Sequence, residues 1–110
     1  MPTAQSIRPT GVTIKILAED FTTKLRTELV RIKAGTVLPT HRHTNFEWVY
    51  VLDGELQDEF GRYKKGAFKI NSKNSVHTSR SPLGCTLLVI RAGTYVPSTL
   101  PYAKKQKNHR

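Results

Sequence analysis

Val12, Ile14 and Ile16 alternate with Thr13, Lys15 and Leu17. A period of two belongs to a strand, whose side chains point to opposite faces in turn. It predicts a first strand over VTIKILAED, residues 12–20. In KLRTELVRIKAG (24–35), Leu25, Thr27 and Leu29 fall on one face and Val30 and Ile32 on the other. Leu25, Leu29 and Ile32 also recur at helical spacing, but the Thr, Val and Ile content and the closing Gly35 favour a strand. Glu47–Leu52 and Glu55–Glu59 read as two strands joined by Asp53-Gly54. Asp-Gly predicts a tight hairpin there, because glycine accepts the positive φ of a type I′ turn. Gly61 marks a further turn, KKGAFKIN a short strand, and VHTSRSPLGCTLLVI two more, broken at Ser81-Pro82-Leu83-Gly84. The pattern gives about seven to nine short strands and no helix, an all-β sandwich or barrel.

Composition narrows this to one domain. The chain has 110 residues, 37% of them hydrophobic, enough for a single modest core. The expected division is an N-terminal arm over 1–11, a barrel over 12–100 and a basic tail over 101–110. No run approaches the roughly 18 apolar residues of a membrane span, and MPTAQSIRPTG lacks the apolar core of a secretory signal. A soluble, cytoplasmic protein is expected, with no membrane partner. The single cysteine, Cys85, excludes an internal disulfide and sits beside TLLVI as a small core residue. The net charge of +10 raises nucleic acid as a partner. The charge is dispersed, however, over Lys24, Arg26, Arg31 and Lys33, over Lys64-Lys65, and over KKQKNHR at the end. No zinc-finger, helix-turn-helix or RNP-like pattern accompanies it, so a nucleic-acid role is disfavoured.

The chemistry concentrates in GTVLPTHRHTNFEWVYVLDGE, residues 35–55. His41 and His43 share one face of a strand. Imidazole suits zinc, iron, nickel and manganese, and Glu47 adds an oxygen donor whose charge offsets a dication. Thr44-Asn45-Phe46 lets the backbone turn so that Glu47 faces the same interior. His77 would arrive from a distant strand; His109 lies in the tail. Any one of these histidines alone reads as a satisfied or exposed side chain; the pair shifts the reading to a site. One divalent ion held by His41, His43, Glu47 and His77 keeps one or two positions for water or substrate. By parity Val49 and Val51 join Glu47 as apolar pocket wall, while Trp48, Tyr50 and Leu52 face outward toward the outer sheet or a dimer contact. Phe46 is placed at the pocket mouth. Arg31 and Arg91 read as solvated strand positions, with a substrate carboxylate as the sharper alternative. Asp58 and Glu59 are expected to balance Arg62 and Lys64.

These residues resemble the first cupin motif, with Gly35, His41, His43, Glu47 and Gly54 at the motif's spacings. The second motif is similar at Gly66, Ser72, Asn74, His77 and Ser81. Ser72, Asn74 and Ser81 replace the usual proline, glycine and asparagine, and asparagine tolerates the left-handed backbone that the glycine position requires. Asp58-Glu59, Gly61 and Tyr63, with Gly84-Cys85-Thr86, resemble the cupin domain of the ChrR-type anti-sigma factors and their stand-alone relatives, over about Leu25 to Gly93. The resemblance implies a single-domain cupin double-stranded β-helix, or jelly roll, with one bound divalent metal. Full-length ChrR-type factors carry a separate helical zinc domain that holds the sigma factor; this sequence lacks it, so sigma binding is not implied. Relatives of this shape imply a metal-dependent dioxygenase acting on a small molecule such as a diketone or hydroxylated aryl ketone. The alternative is a non-catalytic, metal-dependent ligand-binding or sensor module. Small cupins tend to form homodimers.

Overall fold

The computed structural model describes residues 10–93 and, as backbone, 95–97. The arm as far as residue 9 and the basic tail, with His109, lie outside the described residues. Among the described residues there are nine strands and no helix: β1 Val12–Asp20, β2 Leu25–Ile32, β3 Thr36–His43, β4 Glu47–Asp58, β5 Gly61–Lys64, β6 Phe68–Asn71, β7 Val76–Ser81, β8 Cys85–Arg91 and β9 Tyr95–Pro97. The run at 24–35 is thus a strand, as its β-branched content predicts. With no described helix, none is long and apolar enough to cross a membrane.

All pairings are antiparallel, in the order β1-β2-β8-β4-β7-β3-β9, with β5 and β6 also on β4. β4 is the pivot. Its first half pairs with β6 and β8, and its second half with β5 and β7. The hairpin expected at Asp53-Gly54 does not form, because β4 runs unbroken through it. A twelve-residue strand would extend about 40 Å, more than the 33 Å long axis of the molecule, so it must bend. It does so beside Gly54, where the register against β8 slips between Val51 and Asp53 and φ is +79°. Here glycine permits close approach, since a Cβ would collide with the Gly84 carbonyl oxygen. The chain reverses instead just after Asp58, entering β5 at Gly61.

The inward faces of three neighbouring strands make the core. β2 gives Val30 and Ile32, β4 gives Val49 and Val51, and β8 gives Cys85, Leu87 and Val89, with Leu56 beyond the bend. Trp48, Tyr50 and Leu52 face outward, as parity requires. β6 is inside out: Phe68 and Ile70 are exposed, while Lys69 and Asn71 are buried. That inversion gives the barrel interior a polar region alongside its aliphatic core.

Candidate metal centre

β3 delivers His41 and His43 to the interior, both buried. His77 of β7 stands directly across from His41 in the β3–β7 register. The turn after β6 fixes this edge: Asn74 adopts φ +72°, its N–H donates to the His43 carbonyl at 2.8 Å, and the His43 N–H donates to the Ser75 carbonyl at 3.0 Å. Asparagine therefore fills the left-handed position that the motif usually gives to glycine.

The three rings meet at Nε2. His77 Nε2 lies 3.0 Å from His43 Nε2 and 3.0 Å from His41 Nε2. The ring centroids are 4.6–5.0 Å apart. The tautomers follow from what stands behind the rings. The Pro39 carbonyl, 2.7 Å from His41 Nδ1, can only accept, so Nδ1 carries the proton and Nε2 presents its lone pair. Behind His77, Asp58 Oδ2 lies 3.3 Å from Nδ1 and Lys69 Nζ lies 3.2 Å from it. Lys69 is ion-paired to the same carboxylate. A charged Asp58 accepts the Nδ1 proton and turns the bare Nε2 of His77 to the centre. Burial pushes the Asp58 carboxyl up, but the His77 hydrogen bond and the Lys69 charge outweigh it and hold it well below the usual carboxylate range. Tyr63 Oη donates to Asp58 Oδ1 at 3.2 Å, and burial with that negative neighbour pushes its own phenol up to about 12.

Burial, reinforced by the other imidazoles, drives His41 down to about 4. It also drives His43 down to about 3, against the opposing pull of Glu47. At neutral pH both rings are uncharged and able to ligate. The bare nitrogens of His41 and His77, 3.0 Å apart, repel unless a cation lies between them. Two ligands at about 2.1 Å from one ion, at right angles, stand about 3.0 Å apart. The donor set therefore fits a divalent transition metal. Among the described residues, the ligand atoms of His41, His43 and His77 all fall within 4.8 Å of one another.

Glu47 opens β4 at the rim of this cluster, its Oε1 3.8 Å from His43 Nε2. The carboxylate is held from behind. Asn71 Nδ2 donates to Oε1 at 2.9 Å, and Arg91 Nη2 lies 3.2 Å from Oε2. Burial raises its pKa, but His43, Arg91 and Asn71 outweigh that and hold it at about 2. Arg91 also pairs with Glu28, 3.0 Å away, which no solvent reaches and which pairs in turn with Arg26 at 2.8 Å. Arg91 is thus not a solvated strand residue; Arg31 is exposed.

A cavity of about 60 Å³ adjoins the cluster, with His41, Glu47, His77 and Val49 on its wall. Phe46 and Val51 do not line it. The Phe46 ring packs on outward-facing Trp48 at 4.8 Å, and Val51 is sealed in the core. Phe46 precedes β4 by one residue and shares the parity of outward Trp48, not that of inward Glu47 and Val49.

Asp58 and Lys69 were not legible as site residues in the sequence. Asp58 backs His77 rather than balancing Arg62, which pairs with Glu55 at 2.6 Å. Glu59 accepts the Thr78 N–H at 3.1 Å. The signal for Lys69 and Asn71 is strand parity taken without the assumption that apolar residues point inward.

A curled antiparallel sheet with three imidazoles converging inside defines a cupin with a site compatible with metal binding. The chain belongs to the ChrR cupin-like domain family, which matches residues 3–96. No curated protein matches it. Among solved structures it is similar to an RmlC-like cupin protein from Ralstonia eutropha, at 22% identity and a TM-score of 0.70, covering 76% of this chain and 57% of that one. It is similar to an acetylacetone dioxygenase from Acinetobacter johnsonii, at 16% identity and TM-score 0.71, covering 88% and 75%. It is also similar to the Rhodobacter sphaeroides anti-sigma ChrR in complex with SigE, at 28% identity and TM-score 0.66, covering 74% and 44%. The chain thus spans little more than half of the first of these and less than half of the third.

Proposed function

We propose that the protein is a metal-dependent oxidoreductase of the dioxygenase type, acting on one small organic molecule. His41, His43 and His77 would hold a divalent ion, with Glu47 as the fourth ligand. The observation that carries this reading is the convergence of three Nε2 atoms, with the outer nitrogens of His41 and His77 anchored by Pro39 and Asp58. A bound ion supplies Lewis acidity, and iron adds redox chemistry with O₂. The chain's own residues do the rest. Asp58 and Pro39 set the tautomers, Asn71 and Arg91 orient the Glu47 carboxylate, and the aliphatic wall below keeps bulk water from the ligand. Iron, zinc, nickel and manganese all suit this donor set, so loading follows metal supply.

A second reading is supported by the family match and the 28% identity to ChrR: a metal-dependent ligand-binding or sensor module without turnover. One experiment separates the two. Protein loaded with Fe(II) under argon is given O₂ and a series of small ketones and diketones, and oxygen uptake is recorded. Uptake abolished by His77→Ala supports the enzyme. Ligand binding with no uptake supports the sensor.

We also propose a homodimer. Trp48 pairs with Ile70 and Tyr50 with Phe68 across β4 and β6, and all four are exposed. Packing that sheet face on its copy would cover an apolar patch that single surface residues do not explain.

A further inference from the structure

We infer that the cavity takes a molecule with an uncharged oxygen head and an aliphatic tail of about two to three carbons, and that it rejects an aromatic ring. Only the position of the head rests on the metal reading; the size limit rests on the cavity itself.

The size comes first. The cavity measures about 60 Å³, less than half of the roughly 150 Å³ that accommodates benzene in a protein core. Its walls resist expansion. Val30, Ile32, Val49 and Val89 are β-branched, nearly inaccessible to solvent and confined by strand packing on both sides. A hydroxylated aryl ketone, one of the substrates the family resemblance implies, is too large to be buried whole in this partly open space.

The polarity follows from the register. Along β4 and β8, Glu47 stands opposite Arg91, Val49 opposite Val89, and Val51 opposite Leu87. Leu87 in turn stands opposite Val30 on β2. From Arg91 to Leu87 the strand advances about 13 Å, and the wall changes from ionic to wholly aliphatic. Leu56 continues that aliphatic lining. A bound molecule is therefore oriented, its oxygen toward the imidazoles and its carbons toward Val30, Leu56 and Leu87.

Arg91 does not itself call for a charged head, because this cationic group on the wall is already matched. Arg91 lies between Glu28 and Glu47, at 3.0 and 3.2 Å. A ligand carboxylate would have to displace one of two buried carboxylates from it. A carbonyl or hydroxyl has no such competition.

The test uses probes with one head and a graded tail: hydroxyacetone, its ethyl and propyl homologues, and α-hydroxyacetophenone. Binding to metal-free and zinc-loaded protein is followed by methyl NMR at Val30, Leu56 and Leu87. Affinity should rise about fourfold per added methylene up to the propyl tail, with shifts at those methyls. The phenyl compound should bind at least tenfold more weakly than the propyl homologue. Leu56→Ala should remove that discrimination, and Leu56→Val, a smaller change, should halve it or more if the alanine variant does not fold. Equal or tighter binding of the phenyl probe to the natural chain overturns the inference. So do shifts confined to other methyls, or no shifts with any probe. If the protein takes up no zinc yet keeps the same size cut-off, the metal reading fails and the size inference stands.

Discussion

Arg91 and Glu47 face each other from the ends of adjacent strands, guanidinium to carboxylate at 3.2 Å, with Glu28 on the far side of the same nitrogen at 3.0 Å. The pairing joins the candidate metal centre to a carboxylate with no solvent contact. Removing one member leaves a buried charge without its partner, which costs about 3–5 kcal/mol. Arg91→Met should therefore destabilise the protein by that amount in urea unfolding. Adding Glu28→Gln should recover part of the loss, since it removes one of the two buried carboxylates that Arg91 partners and leaves Glu47 with Asn71.

The backing of His77 predicts a second effect. Asp58→Asn removes the charge that accepts the Nδ1 proton and leaves Lys69 buried beside the ring. Loss of such a partner typically weakens metal binding 10–100-fold. The Asp58→Asn, Lys69→Met pair keeps the interior neutral and should show the same affinity loss with less loss of stability. Isothermal titration with zinc, alongside thermal melts, separates the two quantities.

Acid should unfold the metal-free protein early. His41 and His43 titrate near 6.5 in the unfolded chain and near 4 and 3 in the folded one. The unfolded state therefore takes up their protons first as the pH drops. Stability is fully present above pH 6.5 and is lost as pH falls toward 4, by on the order of 3 kcal/mol per ring. Glu47, held at about 2, adds further loss below its ordinary value of 4.5. Urea midpoints measured from pH 7 to pH 4 check this, and replacing either histidine with a non-titrating residue should flatten the slope.

The bend in β4 gives a steric prediction. Gly54 sits at φ +79° with the Gly84 carbonyl where a Cβ would be. Gly54→Ala should lower stability by at least about 1–3 kcal/mol, and more if the two strands must separate, as read from the thermal midpoint.

Much of this site is legible in the sequence. A period of two placed His41 and His43 on one face, and motif spacing brought His77 to them from 34 residues away. What failed did so for identifiable reasons. Asp53-Gly54 carries a turn signature, but local dipeptide chemistry does not distinguish a chain that reverses from one that bends against a neighbouring backbone. Asp58 was hidden because the register slip between Val51 and Asp53 reverses the parity of β4, so a count carried on from Glu47 would put it outside. Lys69 and Asn71 escaped notice, and Arg91 was read as solvated, because inward polar residues contradict the usual hydrophobic pattern. Only the three-dimensional pairing with Asp58, Glu47 and Glu28 makes their burial affordable in energy. Phe46 was misplaced because its nearness to the ligands in sequence was taken as nearness in space; its parity is that of outward Trp48, on which it packs.

The most direct test of the central claim is a zinc titration of the purified, metal-stripped protein beside its His77→Ala variant. The account predicts one ion per chain for the natural sequence. It predicts that the variant loses more than the roughly 100-fold that removal of a supporting partner produces. No binding by the natural chain, or equal binding by the two, would contradict it.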